Sequence, residues 1–433
     1  MEQGTNAQSM FSKMPQTGEV RSRLHAAVLA AHARFSQGLP LLGDGPSQAL
    51  GGVRDSDMTH AWLFTGPPGS GRSITAKAFA AALLCHNHTN PGCGHCEGCT
   101  TAWAETHGDL KIIRTAATII PVDVVREEIR PWAARMPTTA DCRVLIVEDA
   151  DRFNENSANA MLKLVEEPPL RTVIIMCAPT ANAADFSVTL RSRSRHIYVP
   201  TPHAQEVAAI LQAGNPELTE EQARWAATVA AGHIGRARGF ATDEGSRVWR
   251  AKSLDYVEAV FDPARAYLVA RQLANEVKDE VKRRLEPVEA EEIAKLENSL
   301  GMGAKGKGAA SALRGSKGIL NDLEQDHKRR RKRAAADLFD LSLTDIMHLY
   351  RDALVLASGA VATDNDGDGV GLIHPDRQRV AQELARRLGP EAILASLDAL
   401  MRVRDSLATA VSIAVLFDEL TASLQLAGRV GVR

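Results

Sequence analysis

The sequence predicts an α/β protein: a doubly wound parallel sheet in the N-terminal part, followed by an all-helical region. Four short apolar runs alternate with helical patterns, and buried parallel strands are continuous runs of Val, Ile and Leu. The predicted strands lie at residues 62–65, 111–113, 143–147 and 172–177. Aromatic residues make up only 4% of the chain, which favours helical packing over a large β structure.

The first predicted strand leads into a glycine-rich turn that is typical of a phosphate-binding loop. Gly66, Gly69 and Gly71 lie in this turn, and Ser73 begins the next helix. Glycines let successive N–H groups converge on an anion, and a helix start adds positive potential. The pattern requires a lysine before the hydroxyl residue, but Arg72 stands there. Because arginine is a planar fork, the loop binds nucleotide weakly, binds it unproductively or is empty.

Four of the six cysteines are close together in the sequence: Cys85, Cys93, Cys96 and Cys99. Structural zinc takes four thiolates in a tetrahedron, and a Cys-x-x-Cys turn brings two sulfurs to one ion. In a cytoplasmic chain such clustering favours a metal over disulfides. The spacing therefore predicts a structural Zn²⁺ within residues 85–100; the alternative is four reduced cysteines in a loop. Three nearby histidines could each replace a cysteine: His86, His88 and His95.

Two acids, Glu148 and Asp149, follow the third predicted strand. Acids at this point of an ATPase hold magnesium and activate water. They can equally well only cap the strand, so both interpretations stay open.

Two basic segments stand out in a chain whose net charge is only -2. If the first were extended, Arg191, Arg193 and Arg195 would share one face, either as a solvated edge or as an arginine offered to a phosphate of a neighbouring molecule. The second segment, residues 327–333, is interpreted as a solvated helix face, with contact to DNA phosphates as the alternative.

Composition predicts the following organisation. A flexible leader spans 1–19, the sheet domain 20–200, a helical lid 201–245 and a helical domain 246–433, with a flexible Gly/Lys-rich loop at 300–318. No apolar run is long enough to cross a bilayer, and the N-terminus does not resemble a signal peptide. We therefore expect a cytoplasmic protein.

The motifs together resemble one family. In order they are the phosphate loop, the four-cysteine insert, the acids at 148–149, the helix ending in Glu166-Glu167-Pro168-Pro169, and Arg191-Ser192-Arg193-Ser194. This order is similar to the bacterial clamp-loader subunits of DNA polymerase III, a branch of the AAA+ ATPases. The resemblance is strong over residues 60–200 and only architectural beyond 245.

Within that family the sequence is most similar to delta-prime subunits. Motor subunits, gamma and tau, keep the loop lysine and an Asp-Glu pair, whereas this chain has Arg72 and Glu148-Asp149. The resemblance implies a stator that is not catalytic alone, with ATP and Mg²⁺ binding left open. It also implies that Arg193, central in a Ser-Arg-Cys-like triplet, is an arginine finger for a neighbouring ATP site.

The resemblance further implies partners and a mechanism. Residues 246–433 would form part of a collar that joins gamma/tau and delta subunits in a five-subunit ring, which loads the sliding clamp on primed DNA. Two alternatives remain: an ATP-hydrolysing gamma/tau-like motor, and a non-catalytic zinc-bearing DNA-binding module.

Overall fold

The computed structural model describes residues 9–15, 18–39, 41, 57–115, 119–183, 186–262, 264–299, 309–360, 370–408 and 411–429. The chain divides into two compact units, Met1–Ala241 and Thr242–Arg433. Each unit has its own buried hydrophobic clusters.

A five-stranded parallel sheet forms the centre of the first unit. Its strands are β1 Ala61–Thr65, β2 Leu110–Ile113, β3 Arg143–Val147, β4 Thr172–Ala178 and β5 Arg195–Tyr198. They lie in the order β2-β3-β4-β1-β5, and every neighbouring pair is parallel. The predicted doubly wound sheet is confirmed, with one strand more than expected. The sequence did not reveal β5 because only Ile197 of its four residues is buried.

Helices cover both faces of this sheet. They are α1 Glu19–Phe35, α2 Arg72–Leu83, α3 Glu97–Trp103, α4 Arg130–Ala133 after a π-helical segment at Val124–Ile129, α5 Glu155–Glu166 and α6 Val188–Ser192. Three further helices follow the sheet: α7 Ala204–Gly214, α8 Glu220–Val229 and α9 Ile234–Thr242. Alternate strand residues point to opposite faces. In β1, Trp62 and Phe64 pack in the cluster that includes α1 and α2, whereas Leu63 packs in the cluster that includes α5 and α6.

The predicted flexible leader is wrong for the part of it that the structure describes. Residues 1–8 and 16–17 lie outside the described residues, but Met10–Lys13 forms a 3-10 turn and α1 already begins at Glu19. Met10 and Met14 are buried, and Met10 donates its N–H to Gly92 O at 2.8 Å. Burial of these apolar side chains offsets the entropy lost on ordering the segment.

Helices α7 to α9 lie where the sequence predicts a small helical lid. They pack around a cluster of their own that includes Leu211, Ala226 and Phe240. The predicted lid end at residue 245 falls inside the next helix, which begins at Glu244. The Asp243 carboxylate caps that helix by accepting the N–H of Ser246 at 2.8 Å, so the connection ends there.

The second unit is helical, as predicted. Its helices are α10 Glu244–Ala259, α11 Ala266–Ser299, α12 Ala309–Ala357, α13 Gln378–Asp405 and α14 Ile413–Ala427. Three aromatic rings pack edge-on in its core: Phe417 lies 6.2 Å from Tyr256 and 4.6 Å from Phe339 between ring centroids. Helix α13 bends at Gly389, whose φ is 69°, directly before Pro390.

The flexible loop predicted for residues 300–318 is wrong in its second half. Residues 300–308 lie outside the described residues, but α12 begins at Ala309, so residues 309–318 are helical. Alanine and leucine at positions 309, 310, 312 and 313 are strong helix formers and outweigh the glycines at 315 and 318. Of the helices that the structure describes, none combines the length and apolarity that crossing a membrane requires.

Candidate nucleotide-binding loop, cysteine cluster and arginine segment

The glycine-rich loop joins β1 to α2. Gly66, Gly69 and Gly71 have φ of 156°, 81° and 90°, a region that glycine adopts most readily. Two N–H groups of the loop are engaged inside the unit: Gly66 donates to Pro179 O at 3.3 Å and Ser70 donates to Pro67 O at 3.1 Å. The loop therefore has the expected chain path, with part of its donor set already used.

Two side chains of the same unit cover this loop. His233, just before α9, lies against Gly69, where a Cβ would be 2.0 Å from the His233 Cγ. The N–H of Ile234 donates to Gly69 O at 3.2 Å. A Cβ on Gly71 would be 2.6 Å from Cγ of Pro15. Phosphate-binding loops need an open approach to their backbone, and here the lid and the N-terminal segment occupy it.

Electrostatics at the loop also differ from those of a nucleotide site. Burial, helped by the cations Arg236 and Arg72, lowers the pKa of His233 to about 4, so its imidazole is neutral at pH 7. Burial lowers the pKa of Arg72 as well, and the carboxylates of Asp151 and Asp149 partly oppose this. Within the described residues, Nη1 of Arg72 is buried and has no hydrogen-bond partner.

The acids after β3 interact with cations of their own chain. Glu148 Oε1 accepts from Nη2 of Arg114 at 3.1 Å. Arg114 also makes two bonds to Glu105, at 2.7 and 2.9 Å, and this pairing lowers the pKa of Glu105 to about 2. The backbone of Asp149 lies in the left-handed region, with φ of 54°, and its Oδ2 is 3.8 Å from Nη1 of Arg152. A magnesium ion at Glu148 would have to compete with a guanidinium.

The cysteine cluster forms beside the end of α2. Ligand atoms of Cys85, Cys93, Cys96 and Cys99 all lie within 4.8 Å of one another. Cys85 Sγ is 3.7 Å from Cys93 Sγ and 3.6 Å from Cys96 Sγ. A hydrogen bond from Cys99 lowers the pKa of the Cys85 thiol to about 4, and the same contact raises the pKa of Cys99.

Local structure explains why four distant cysteines converge. Gly92 and Gly94 have φ of 78° and 86°, and their turns return the chain to the end of α2. Cys96 caps α3, so its sulfur accepts the N–H of Cys99 at 3.4 Å. Four sulfurs around one point are the donor set that structural zinc takes, so these residues fit a metal ion.

The nearby histidines make other contacts. His88 Nδ1 lies 3.0 Å from His32 Nδ1, and His95 Nδ1 lies 3.1 Å from Cys93 O. The group of potential metal ligands found here in the described residues contains cysteines alone. The histidines are therefore not needed to complete the site.

The arginine segment is not extended. Arg191 lies in α6, Arg193 ends that helix and Arg195 begins β5. The turn closes because the N–H groups of Arg191 and Arg193 bond to carbonyls of residues 187 and 190. The three side chains therefore do not share one face, which corrects that expectation.

Each of these arginines has a different environment. Arg191 Nη1 donates to Ala181 O at 2.9 Å. Arg195 donates to Asp57 O and its guanidinium carbon lies 5.2 Å from the centre of the Trp62 ring. Arg193 is exposed and its Nε lies 2.7 Å from Glu166 Oε1.

The basic run at 327–333 is largely paired with acids. Arg330 and Arg331 of α12 bond to Glu292 and Glu289 of α11. His327 Nε2 lies 2.8 Å from Glu292 Oε2. These contacts agree with the interpretation as a helix face, here one that joins two helices.

Comparison with known proteins adds to this geometry. Residues 51–203 match the family described as "DNA polymerase III, delta subunit". The gamma/tau subunit of DNA polymerase III from Mycobacterium tuberculosis H37Rv is 35% identical over 141 residues, which are 32% of this chain and 24% of the relative. The delta' subunits of Pseudomonas aeruginosa and Escherichia coli are 32% and 33% identical over 149 residues, which are 34% of this chain and 44% of each relative. Over this N-terminal part, the chain is similar to DNA polymerase III clamp-loader subunits. It matches less than half the length of these relatives.

Several residues at these sites were not found from the sequence. His233 and Pro15 reach the loop through tertiary packing, and Arg114 meets Glu148 across 34 residues of sequence. Glu166 belongs to the recognised Glu-Glu-Pro-Pro motif, but its contact with Arg193 joins α5 to α6. The sequence therefore indicates the motif that contains Glu166 but does not indicate that Arg193 is its partner.

Proposed function

We propose that this chain is a delta-prime, or stator, subunit of the DNA polymerase III clamp loader. It does not hydrolyse ATP itself, and it contributes Arg193 as an arginine finger to the ATP site of a neighbouring subunit. The observation that carries this proposal is the position of Arg193 relative to the chain's own phosphate loop.

Arg193 lies near the opposite end of the strands from that loop. Trp62 at the start of β1 is level with Arg195, whereas the phosphate loop follows Thr65 at the other end. The start of β1, beside Arg195, and the phosphate loop after Thr65 are therefore about 13 Å apart along the strand direction. Arg193 is therefore suited to a phosphate that another molecule holds. A guanidinium can donate two parallel hydrogen bonds to phosphate oxygens, as fingers in phosphoryl transfer do.

Three features favour a silent nucleotide site in this chain. Arg72 replaces the lysine, His233 and Pro15 cover the loop, and Arg114 binds Glu148. Each by itself weakens phosphate or magnesium binding, and they act on different parts of the site. We assign no bound ATP or Mg²⁺ to the loop of Gly66, Gly69, Gly71 and Ser73. The cysteine cluster would hold a structural Zn²⁺.

The helical second unit is proposed to serve as the collar. Through it the chain would join gamma/tau and delta subunits, and the assembled ring would open the sliding clamp and load it on primed DNA in the cytoplasm. A direct DNA contact through residues 327–333 is disfavoured, because Arg330 and Arg331 of this run already bond to acids of α11.

The second candidate is an ATP-hydrolysing motor subunit. Its support is the 35% identity with a gamma/tau subunit and the retained glycines of the loop. ATP turnover by the isolated chain separates the two candidates, since only a motor hydrolyses ATP alone.

The finger is tested by Arg193→Lys in loaders rebuilt with gamma/tau and delta subunits. Lysine keeps the charge but loses the two-pronged contact, so clamp- and DNA-stimulated ATP hydrolysis should fall while assembly is retained. The loss is partial because one of several ATP sites is affected. Arg191→Lys and Arg195→Lys are the controls. An unchanged rate for Arg193→Lys, or equal losses for all three variants, would refute the assignment.

A further inference from the structure

We propose that Glu166 is a positioning residue for the Arg193 finger. This inference rests on the proposed function, because it concerns the same arginine. Glu166 Oε1 lies 2.7 Å from Arg193 Nε, and the two side chains are 41% and 42% exposed. The pair is thus formed at the surface, where a neighbouring molecule can reach the arginine.

Glu166 forms its ion pair on the Nε side of the guanidinium, away from Nη2. Arg193 Nη1 makes two longer contacts, to Thr189 O and Ser192 Oγ, both at 3.3 Å. Among the residues that the structure describes, Nη2 donates no hydrogen bond. The guanidinium carries five N–H donors in a rigid fork, so a carboxylate paired beside Nε restrains its orientation while the Nη2 donors remain for a phosphate oxygen.

The position of Glu166 is itself fixed by packing. It is the last residue of α5, a helix that Asn154 caps by accepting the N–H of Ser157 at 2.9 Å. The preceding Leu164 and Val165 are buried. Pro168 follows shortly and prevents the helix from continuing. The carboxylate therefore stands on a rigid element, as a positioning group must.

The neighbouring Glu167 provides a matched control. It is exposed, carries the same charge in the same motif, and makes no side-chain hydrogen bond or ion pair among the described residues. Any general effect of removing an acid at this surface should be equal at both positions. An effect confined to Glu166 must come through Arg193.

If Glu166 holds the Arg193 side chain before assembly, less conformational entropy is lost when the neighbouring subunit binds. A free arginine side chain samples many rotamers, and its immobilisation opposes binding in the productive geometry. The exposed pair adds little to folding stability. Removal of the Glu166 charge should therefore affect the reaction and leave the melting temperature unchanged.

The test uses the full chain in loaders rebuilt with gamma/tau and delta subunits. It compares Glu166→Gln, Glu167→Gln, Arg193→Lys and the double variant Glu166→Gln/Arg193→Lys. We expect Glu166→Gln to lower the kcat of stimulated ATP hydrolysis. The decrease should be roughly half or more of the decrease that Arg193→Lys causes, and the KM for ATP should stay unchanged. Glu167→Gln should match the wild type, and the double variant should be no slower than Arg193→Lys alone.

The outcomes separate this inference from the function on which it rests. A wild-type or higher kcat for Glu166→Gln, together with a slow Arg193→Lys, overturns the positioning role and leaves the finger intact. Additive losses in the double variant also overturn it, because they show that Glu166 acts independently of Arg193. A wild-type rate for Arg193→Lys overturns the proposed function and this inference together.

Discussion

The imidazole of His233 lies against Gly69, and the next residue, Ile234, donates its N–H to the Gly69 carbonyl at 3.2 Å. Two residues from distant parts of the first unit thus meet at the loop where a nucleotide would sit. The His233 ring is neutral at pH 7, because burial lowers its pKa to about 4, so it places no positive charge at the loop. Nucleotide binding would require this contact to open.

The isolated chain should therefore show no ATP turnover above background. Arg72 stands for the loop lysine and His233 covers Gly69, so neither the charge nor the approach suits a triphosphate. A steady-state ATPase assay is the measurement, with Ser73→Ala as the control. Turnover that Ser73→Ala abolishes would identify a working motor site instead.

The cysteine cluster should hold one zinc per chain. Cys99→Ser removes one of four sulfurs and should release the metal and lower the melting temperature of the first unit by about 10 °C. Metal analysis and thermal unfolding are the measurements. Cys142→Ser, at a buried cysteine outside the cluster, should keep the zinc. Protein that is free of metal and melts unchanged after chelation would contradict the site.

Asp109 should be a major determinant of stability. Its buried carboxylate accepts N–H bonds from Thr138, Thr139 and Ala140 at 2.8–3.1 Å and pairs with Arg143 at 3.3 Å. Asp109→Ala should cost about 3 kcal/mol or more in the free energy of unfolding, because it leaves a buried cation and several N–H groups unsatisfied. Asp141→Ala, a half-exposed acid nearby, should cost less than about 1 kcal/mol. Equal losses in chemical denaturation would contradict this account.

The same carboxylate gives a pH dependence of known sign. Burial alone would raise the pKa of Asp109, but the N–H groups outweigh it and lower the pKa to about 2. The unfolded chain, with an ordinary pKa of about 3.9, then binds more protons than the folded chain between these values. The stabilisation is complete above about pH 4 and is lost as the pH falls towards 2. Asp109→Asn should remove this part of the acid slope; an unchanged slope would contradict the assignment.

Arg331 should matter for the second unit's stability rather than for DNA binding. It bonds to Glu289, which is only 2% exposed, so Arg331→Ala leaves a buried carboxylate uncompensated. We expect a loss of about 2 kcal/mol by chemical denaturation. Arg329→Ala, whose partner Asp326 is exposed, should be nearly neutral. If both variants instead weaken binding to duplex DNA equally and leave stability unchanged, the run is a DNA contact.

The parts that could be predicted from the sequence are those encoded locally. β3 and β4 are continuous apolar runs, and the spacing of the four cysteines predicts that their sulfurs lie together, as they do. β5 is not predicted from the sequence, because it is a half-solvated edge strand and has no continuous run of apolar residues. The 3-10 turn at Met10–Lys13 has no signal in the sequence, because its buried apolar residues are few and their partner surface lies elsewhere in the chain.

The contacts that decide function are non-local and leave no periodic signal. His233 on Gly69 and Arg114 on Glu148 depend on how the chain returns to the loop, and no spacing rule predicts them. The arginine segment shows that the local conformation of a short stretch can also be missed from the sequence. Val188–Ser192 closes one helical turn, so three arginines spaced by two diverge rather than align.

Helix α12 is one continuous element with two different surroundings. Its C-terminal half is anchored by side chains that are almost fully buried: Leu338, Phe339, Leu343, Ile346, Leu349, Tyr350 and Ala353. Between residues 318 and 333, only His327 is buried. Backbone amides along this one helix should therefore exchange with solvent by two routes. Those before about residue 333 need only a local opening, whereas those beyond it must wait for the whole helical core to unfold.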